Sequence, residues 1–277
     1  MIRIERHDAE RALAITPSPI EPLWLALFDH HVSTGAAGMA TRQREGSWPQ
    51  RRDHYVVTVA GSPHASLWLA MTEQGPVGYA LSFEDALDGA PVEVLESLAL
   101  LPESRGHGLG AELVGVVEAD ARGRGIGRLA IDVMGGNDRA LAFYHREGYE
   151  PYSKTWMRSV HPAPGAAATA AELGDTAEAE AAFAEVGVTL TKTGHSDDTW
   201  LTAPSVAMLG LGAASPPADA AAFDAWLAEL LRGIELLAGA GYWTVWLEAA
   251  AGRADQLGEA LAERGFNHGM SRVLKSL

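Results

Sequence analysis

The sequence predicts an α/β (α+β) architecture: a mixed central sheet flanked by helices, followed by a second, incomplete unit of related design. Three observations predict it. Strand-like and helix-like stretches alternate through the first 160 residues, with a hairpin early and a β-α-β crossover late. A segment rich in Pro, Gly and Ala, residues 161–171 (HPAPGAAATAA), then interrupts the pattern and reads as a linker. Beyond it, residues 172–277 repeat a spacing already met in the first part.

In order, residues 2–5 suit a short strand, and Ile20, Leu23, Trp24, Leu27, Phe28 and His31 recur at helical spacing over 19–32. Ser47 is a plausible N-cap for a second helix, with Pro49 in its first turn. Strands over 66–72 and 77–83 are joined by Glu73-Gln74-Gly75-Pro76, a turn by composition. A strand over 92–100, a helix over 108–121, a strand over 129–134, a helix over 138–147 and strand-like residues 149–160 follow. Loops near 30–45 and 84–91 are left to meet a substrate.

The 277 residues are 47% hydrophobic, enough to bury a sizeable core. The absence of cysteine removes disulfides, thiolate metal sites and cysteine nucleophiles together. His30, His31 and the other histidines lack metal-ligand spacing with carboxylates, so no metal is expected. A net charge of −15 argues against a nucleic-acid partner. The charged N-terminus and the lack of a long apolar run give no sign of a leader or membrane span, so a cytoplasmic protein is expected, with a homodimer left open.

The main chemical signal is Glu96-Ser97-Leu98-Ala99-Leu100-Leu101-Pro102-Glu103-Ser104-Arg105-Gly106-His107-Gly108-Leu109-Gly110: strand, proline, glycine-rich turn, helix. Pro102 cannot donate to a ladder and ends the strand. Gly106, Gly108 and Gly110 let backbone approach a ligand, and the following helix start offers unpaired N–H groups to an anion, with Arg105 as a nearby cation. The ligand implied is a pyrophosphate. A dinucleotide-binding fingerprint would stand in a βαβ unit near the chain start, whereas these glycines come after a hairpin. Arg122-Gly123-Arg124-Gly125-Ile126-Gly127 has similar lettering but runs from helix to strand, so it reads as a helix stop.

These residues, with Asn137-Asp138-Arg139-Ala140-Leu141-Ala142-Phe143-Tyr144 and Glu147-Gly148-Tyr149 in register downstream, resemble the GNAT acetyltransferase superfamily over about residues 1–160. The resemblance implies a GNAT fold in which the strands 92–100 and 129–134 splay to admit the pantetheine arm of acetyl-CoA, the co-substrate. It implies pairing of the Leu98 and Leu100 backbone, on either side of Ala99, with the pantetheine amides. The amides of Arg105, Gly106, His107, Gly108, Leu109 and Gly110 would hold the pyrophosphate, and Asn137 would lie beside the arm. Tyr144 would protonate the departing thiolate, and Glu96 would take the amine proton.

From spacing alone, Tyr144 reads as a half-buried aromatic on an amphipathic helix, and the flanking Asn137 and Gly148 move the acid reading ahead; Glu96 reads equally as a strand carboxylate that binds a cation or pairs with an arginine. Glu93 and Glu96, three apart on one strand, should face opposite ways. His107 reads as an exposed loop residue.

After the linker come a helical run over 175–185 and a long helix over 223–240. Gly241 and Gly265 are then separated by 24 residues, as Gly125 and Gly148 are by 23. The copy carries Ser215-Pro216-Pro217-Ala218-Asp219 in place of the glycine loop and Leu261 or a neighbour in place of Tyr144, so it reads as a degenerate GNAT-like unit. The expected function is acetyl transfer to a primary amine of a small molecule. A non-catalytic acyl-CoA-binding module and a protein N-acetyltransferase are the alternatives.

Overall fold

Local sequence sets most of the elements. The structure, a computed structural model of the chain, describes residues 2–13, 15, 18–34, 44–59, 61–160, 173–195, 205–211 and 216–277; the expected linker lies outside them. The elements are β1 (Arg3–Asp8), α1 (Ala9–Leu13), α2 (Glu21–Thr34), α3 (Arg44–His54), β2 (Ser66–Thr72), β3 (Gly75–Leu87), β4 (Ala90–Leu100), α4 (Leu109–Gly123), β5 (Arg128–Met134), α5 (Asp138–Arg146) and β6 (Glu150–Ser159). Then come α6 (Ala177–Glu185), β7 (Val188–His195), β8 (Ser205–Leu211), α7 (Ala220–Gly239), β9 (Thr244–Ala250), α8 (Ala251–Ala262) and β10 (Asn267–Ser276).

The chain groups into two units. The first holds the described residues up to Pro151 together with Arg272–Leu277, and the second holds Tyr152–Ser271. In the first unit the strand order is β1-β2-β3-β4-β5, followed by the end of β10. The pairs from β1 to β4 are antiparallel and β4–β5 is parallel. The end of β10 is fixed by a bidentate pair, Arg272 Nε to Asp132 Oδ1 at 2.8 Å and Nη2 to Oδ2 at 2.7 Å. Lys275 Nζ also donates to Glu118 Oε1 at 2.8 Å, and Val273 is fully buried beside Leu113, Val117 and Ile131.

In the second unit the order is the start of β10, then β6-β9-β8-β7. β6 pairs antiparallel with β9, and β9 pairs parallel with β8. Its core gathers Phe183, Leu227, Leu230, Ile234, Leu237 and Leu247, and Trp226 Nε1 is satisfied by the Val186 carbonyl at 2.8 Å. Each unit thus receives its closing strand from the sequence half that builds the other: β6, made with the first, serves the second, and the end of β10 serves the first.

Two local expectations are corrected. Ser47 does not cap α3, which begins at Arg44; its hydroxyl instead donates back to the Arg44 carbonyl at 2.8 Å. Residues 84–91 are not a loop. β3 and β4 run through them around a two-residue turn, Asp88 (φ 53°) and Gly89 (φ 74°), whose positive φ values match a hairpin's twist.

Candidate active site

The site is built where β4 leaves its neighbours. Its parallel pairing with β5 runs through Glu93–Leu129, Val94–Ala130 and Leu95–Ile131 and goes no further, although β4 continues to Leu100 and β5 to Met134. At the same level the β3–β4 register slips: Leu81 faces Ser97 while Ser82 faces Leu95, leaving Glu96 as the extra residue of a bulge. Bulges re-aim side chains and open ladders next to active sites. Here two consecutive residues, Glu96 and Ser97, reach the same guanidinium, which regular alternation would forbid.

That guanidinium is Arg51 of α3. Its Nη2 donates to Glu96 Oε1 at 2.7 Å and to Ser97 Oγ at 3.0 Å. It lies over the rings of Trp24 (4.8 Å) and Tyr55 (4.5 Å). His54 Nε2 meets the same Glu96 oxygen at 3.1 Å. Behind them the Tyr55 hydroxyl joins Ser97 Oγ at 2.6 Å and the Tyr79 hydroxyl at 3.2 Å. A π-helical turn, Tyr55–Val59, follows directly on α3.

Electrostatics within this cluster are one-sided. Burial alone would raise the Glu96 carboxyl, but Arg51 and then His54 outweigh it and hold the group below the usual carboxylate range. Burial likewise works against the Arg51 charge, and Tyr55 and Glu96 more than offset it. Neighbouring His31 is pulled down to about 3, chiefly by burial and further by His30 and Arg51, so its ring is neutral. Glu93 is fully buried on the other face of β4, where Arg124 Nη2 donates to its Oε2 at 2.6 Å, so the two glutamates do face opposite ways.

The glycine loop sits past the end of β4. Pro102–Ser104 form one 3₁₀ turn, and Gly106 (φ 85°) and Gly108 (φ 83°) hold left-handed conformations. Gly108 is the N-cap residue of α4 and supplies no side-chain cap, so the first-turn N–H groups remain open to an anion. Arg105 lies close enough to Arg139 of α5 for its charge to be disfavoured, after burial, by that second guanidinium. Two cations held together beside an uncapped helix start suit a diphosphate. Leu109 points into the core and His107 is exposed, so only their backbone N–H groups can serve an anion.

On the rest of the splayed edge, Leu98 and Leu100 pack with the α4 core, Ala99 is buried opposite Tyr79, and the Leu100 carbonyl accepts from Arg105 Nε at 3.1 Å. Gly110 has room for its neighbours, the nearest being Phe143 Cζ, 3.7 Å from where a Cβ would stand. Asn137 is the N-cap of α5, its Oδ1 accepting from the Ala140 N–H at 3.2 Å, which turns its amide NH₂ to other use. Tyr144 is buried edge-on to Tyr149 at 5.6 Å, within the cluster that holds Leu95 and Val133. Burial raises its phenol, keeping it protonated at neutral pH.

The look-alike string ends α4: Gly125 (φ 80°) sits past the Arg124 cap, and the Ile126 N–H returns to the Ala121 carbonyl at 2.9 Å. Among the described residues no group of three or more His, Asp or Glu is placed to hold a metal ion, and no helix is long and apolar enough to cross a membrane.

Residues 34–149 match the model of the Acetyltransferase (GNAT) family. Over its full length the chain is similar to a solved GCN5-related glucosamine N-acetyltransferase region of a fungal multi-domain GH3 β-N-acetylglucosaminidase: TM-score 0.54, 12% identity, 99% of this chain and 38% of that one. The chain therefore spans less than half the length of that relative. A GNAT family acetyltransferase from Elizabethkingia anophelis, solved with acetyl-CoA bound, matches 59% of this chain and 87% of its own at TM-score 0.35 and 18% identity. An aminoglycoside acetyltransferase from an uncultured soil metagenomic sample, solved with sisomicin, matches 53% and 87% at TM-score 0.38 and 18% identity. No curated protein matches by sequence.

A glycine loop at an uncapped helix, beyond a pair of splaying parallel strands, is a site suited to a ligand that carries a diphosphate. Residues 34–149, the span that matches the Acetyltransferase (GNAT) family model, hold this site from Arg51 to Tyr149.

Proposed function

We propose that the first unit moves the acetyl group of acetyl-CoA to a primary amine of a small molecule by direct attack. The observation that carries this is the early end of the β4–β5 pairing, at Leu95 and Ile131, combined with the uncapped α4 start at Gly108. Acetyl-CoA supplies the activated thioester. The backbone of Leu98 and Leu100 would orient its amide arm, and the N–H groups from Arg105 to Gly110 would receive its diphosphate. Tyr144, held protonated by burial, is the candidate acid for the departing thiolate. Glu96, ionised beside Arg51, stands on the side of the base and favours a cationic acceptor.

The second unit reads as a degenerate copy. β8-α7-β9-α8-β10 follows the order of β4-α4-β5-α5-β6, with the parallel pair in the corresponding place.

The test is thiol release from acetyl-CoA across an amine panel, with wild type beside Tyr144→Phe. Amine-dependent release should fall roughly 100-fold in the variant, while acetyl-CoA affinity stays within about twofold. Binding without release on any amine would instead favour a non-catalytic acyl-CoA module.

A further inference from the structure

The geometry points to His54 as the group that takes the proton from the incoming amine, with Glu96 as the positioning residue that fixes its tautomer. This rests on the acetyltransferase reading and reassigns the base within it.

An alkylammonium, with a pKa near ~10.4, must lose a proton before its nitrogen can attack. Glu96 is poorly suited to accept it directly. Its Oε1 is shared between Arg51 Nη2 at 2.7 Å and His54 Nε2 at 3.1 Å, and its charge is stabilised below the ordinary carboxylate range. A base made weaker by its partners needs a stronger one between itself and the substrate.

His54 holds the contact that a base of this kind needs. An ionised carboxylate can only accept hydrogen bonds, so the contact at 3.1 Å requires Nε2 to carry the hydrogen. A neutral imidazole so pinned leaves Nδ1 as its only lone pair. The ring is 23% exposed, against 8% for Arg51, so solvent can collect the proton afterwards. The groups around it are Glu96 and Ser97 from β4, Arg51 from its own helix, the Tyr55 ring at 6.0 Å, and behind that the Tyr79 hydroxyl. Of these, Arg51 and Glu96 carry opposite charges that balance, and the hydroxyls are neutral.

The step balances without a further reactant. One ammonium proton passes to Nδ1 of His54 and on to water. The freed lone pair forms the C–N bond to the acetyl carbon as the C–S bond breaks. The thiolate takes the Tyr144 phenolic proton, and the second proton on nitrogen restores the phenol.

Two measurements test this. In the first, kcat/KM is followed against pH on an amine the wild type acetylates. His54→Gln should lose about 100-fold or more and its acid limb should vanish, with acetyl-CoA binding retained as the check on folding. Glu96→Gln should slow the reaction but keep an acid limb, and added imidazole should restore part of the His54→Gly rate. A limb kept by His54→Gln and abolished in Glu96→Gln would return the base to Glu96 and overturn the proposal. The second measurement needs no substrate. Ring ¹⁵N chemical shifts of His54 in the wild type should show the Nε2–H tautomer, changing in Glu96→Gln; an Nδ1–H tautomer in the wild type would overturn the proposal even if no amine in the panel reacts. Failure on every amine would count against the acetyltransferase reading alone.

Discussion

Both units contain a strand, a helix and a parallel strand in succession, but the ends of these elements differ. In the first, β4 and β5 part after Leu95 and Ile131, and α4 starts on Gly108 with its N–H groups open. In the second, β8 and β9 stay paired from Val206–Thr244 to Gly210–Glu248, almost to the end of β8. There α7 is closed by its own carboxylate: Asp219 Oδ1 accepts from the Ala222 N–H at 3.0 Å. Leu261 of α8 is fully buried in the apolar core of the second unit. The fold alone is therefore not the site. The two units differ in where their parallel strands stop pairing and in whether the following helix has a side-chain cap.

That contrast can be broken from either side. The largest effect is expected for Arg51→Met, which leaves the carboxylate presented by the β4 bulge without its cation. Stability at neutral pH should fall by about 3 kcal/mol, since removing one partner of a buried pair strands the other. Because Glu96 is held below its ordinary range, the pairing stabilises above the unfolded carboxyl's titration and is lost as pH falls through the lowered value. Urea midpoints for the two proteins should thus converge in acid and differ most at neutral pH.

Next comes Gly108→Asp, which puts a carboxylate at the α4 start without the extended backbone from which Asp219 caps α7. Asp tolerates the left-handed backbone, so the fold should survive, but a carboxylate would face the cofactor's diphosphate. Calorimetry should show acetyl-CoA affinity lowered by about 100-fold or more. The smallest effect is expected for Asp219→Gly: a few tenths of a kcal/mol of stability, with acetyl-CoA still binding once per chain. A second binding event in that variant would show the cap, rather than the closed strands, to be what silences the second unit.

Much of the first unit was readable because its determinants are local. Pro102, the glycines after it and Asn137 each dictate the conformation of their own few residues, and the structure finds a turn, left-handed glycines and a helix cap there. The cluster around Glu96 was not readable. Arg51 and His54 stand more than forty residues upstream, and their spacing of three along α3 says only that they share a helix face. The bulge at Glu96 leaves no mark in the strand's composition. The hairpin at Asp88-Gly89 was missed although Asp-Gly is itself a hairpin signal, and β7 and β8 were missed although Gly187 and Pro204 stand at their starts. Nothing near Asp132 or Glu118 foretells partners in Arg272 and Lys275, which arrive only through β10.

The exchange of closing strands also sets an order of assembly. Tyr149, which packs against Tyr144, donates to Glu118, and Lys275 lies over the same ring while binding the same carboxylate. During synthesis those last partners follow the whole of the second unit. The half of the protein that is translated first is consequently the half finished last, and a ribosome that stops early releases a chain in which the Tyr144–Tyr149 pair lacks its backing.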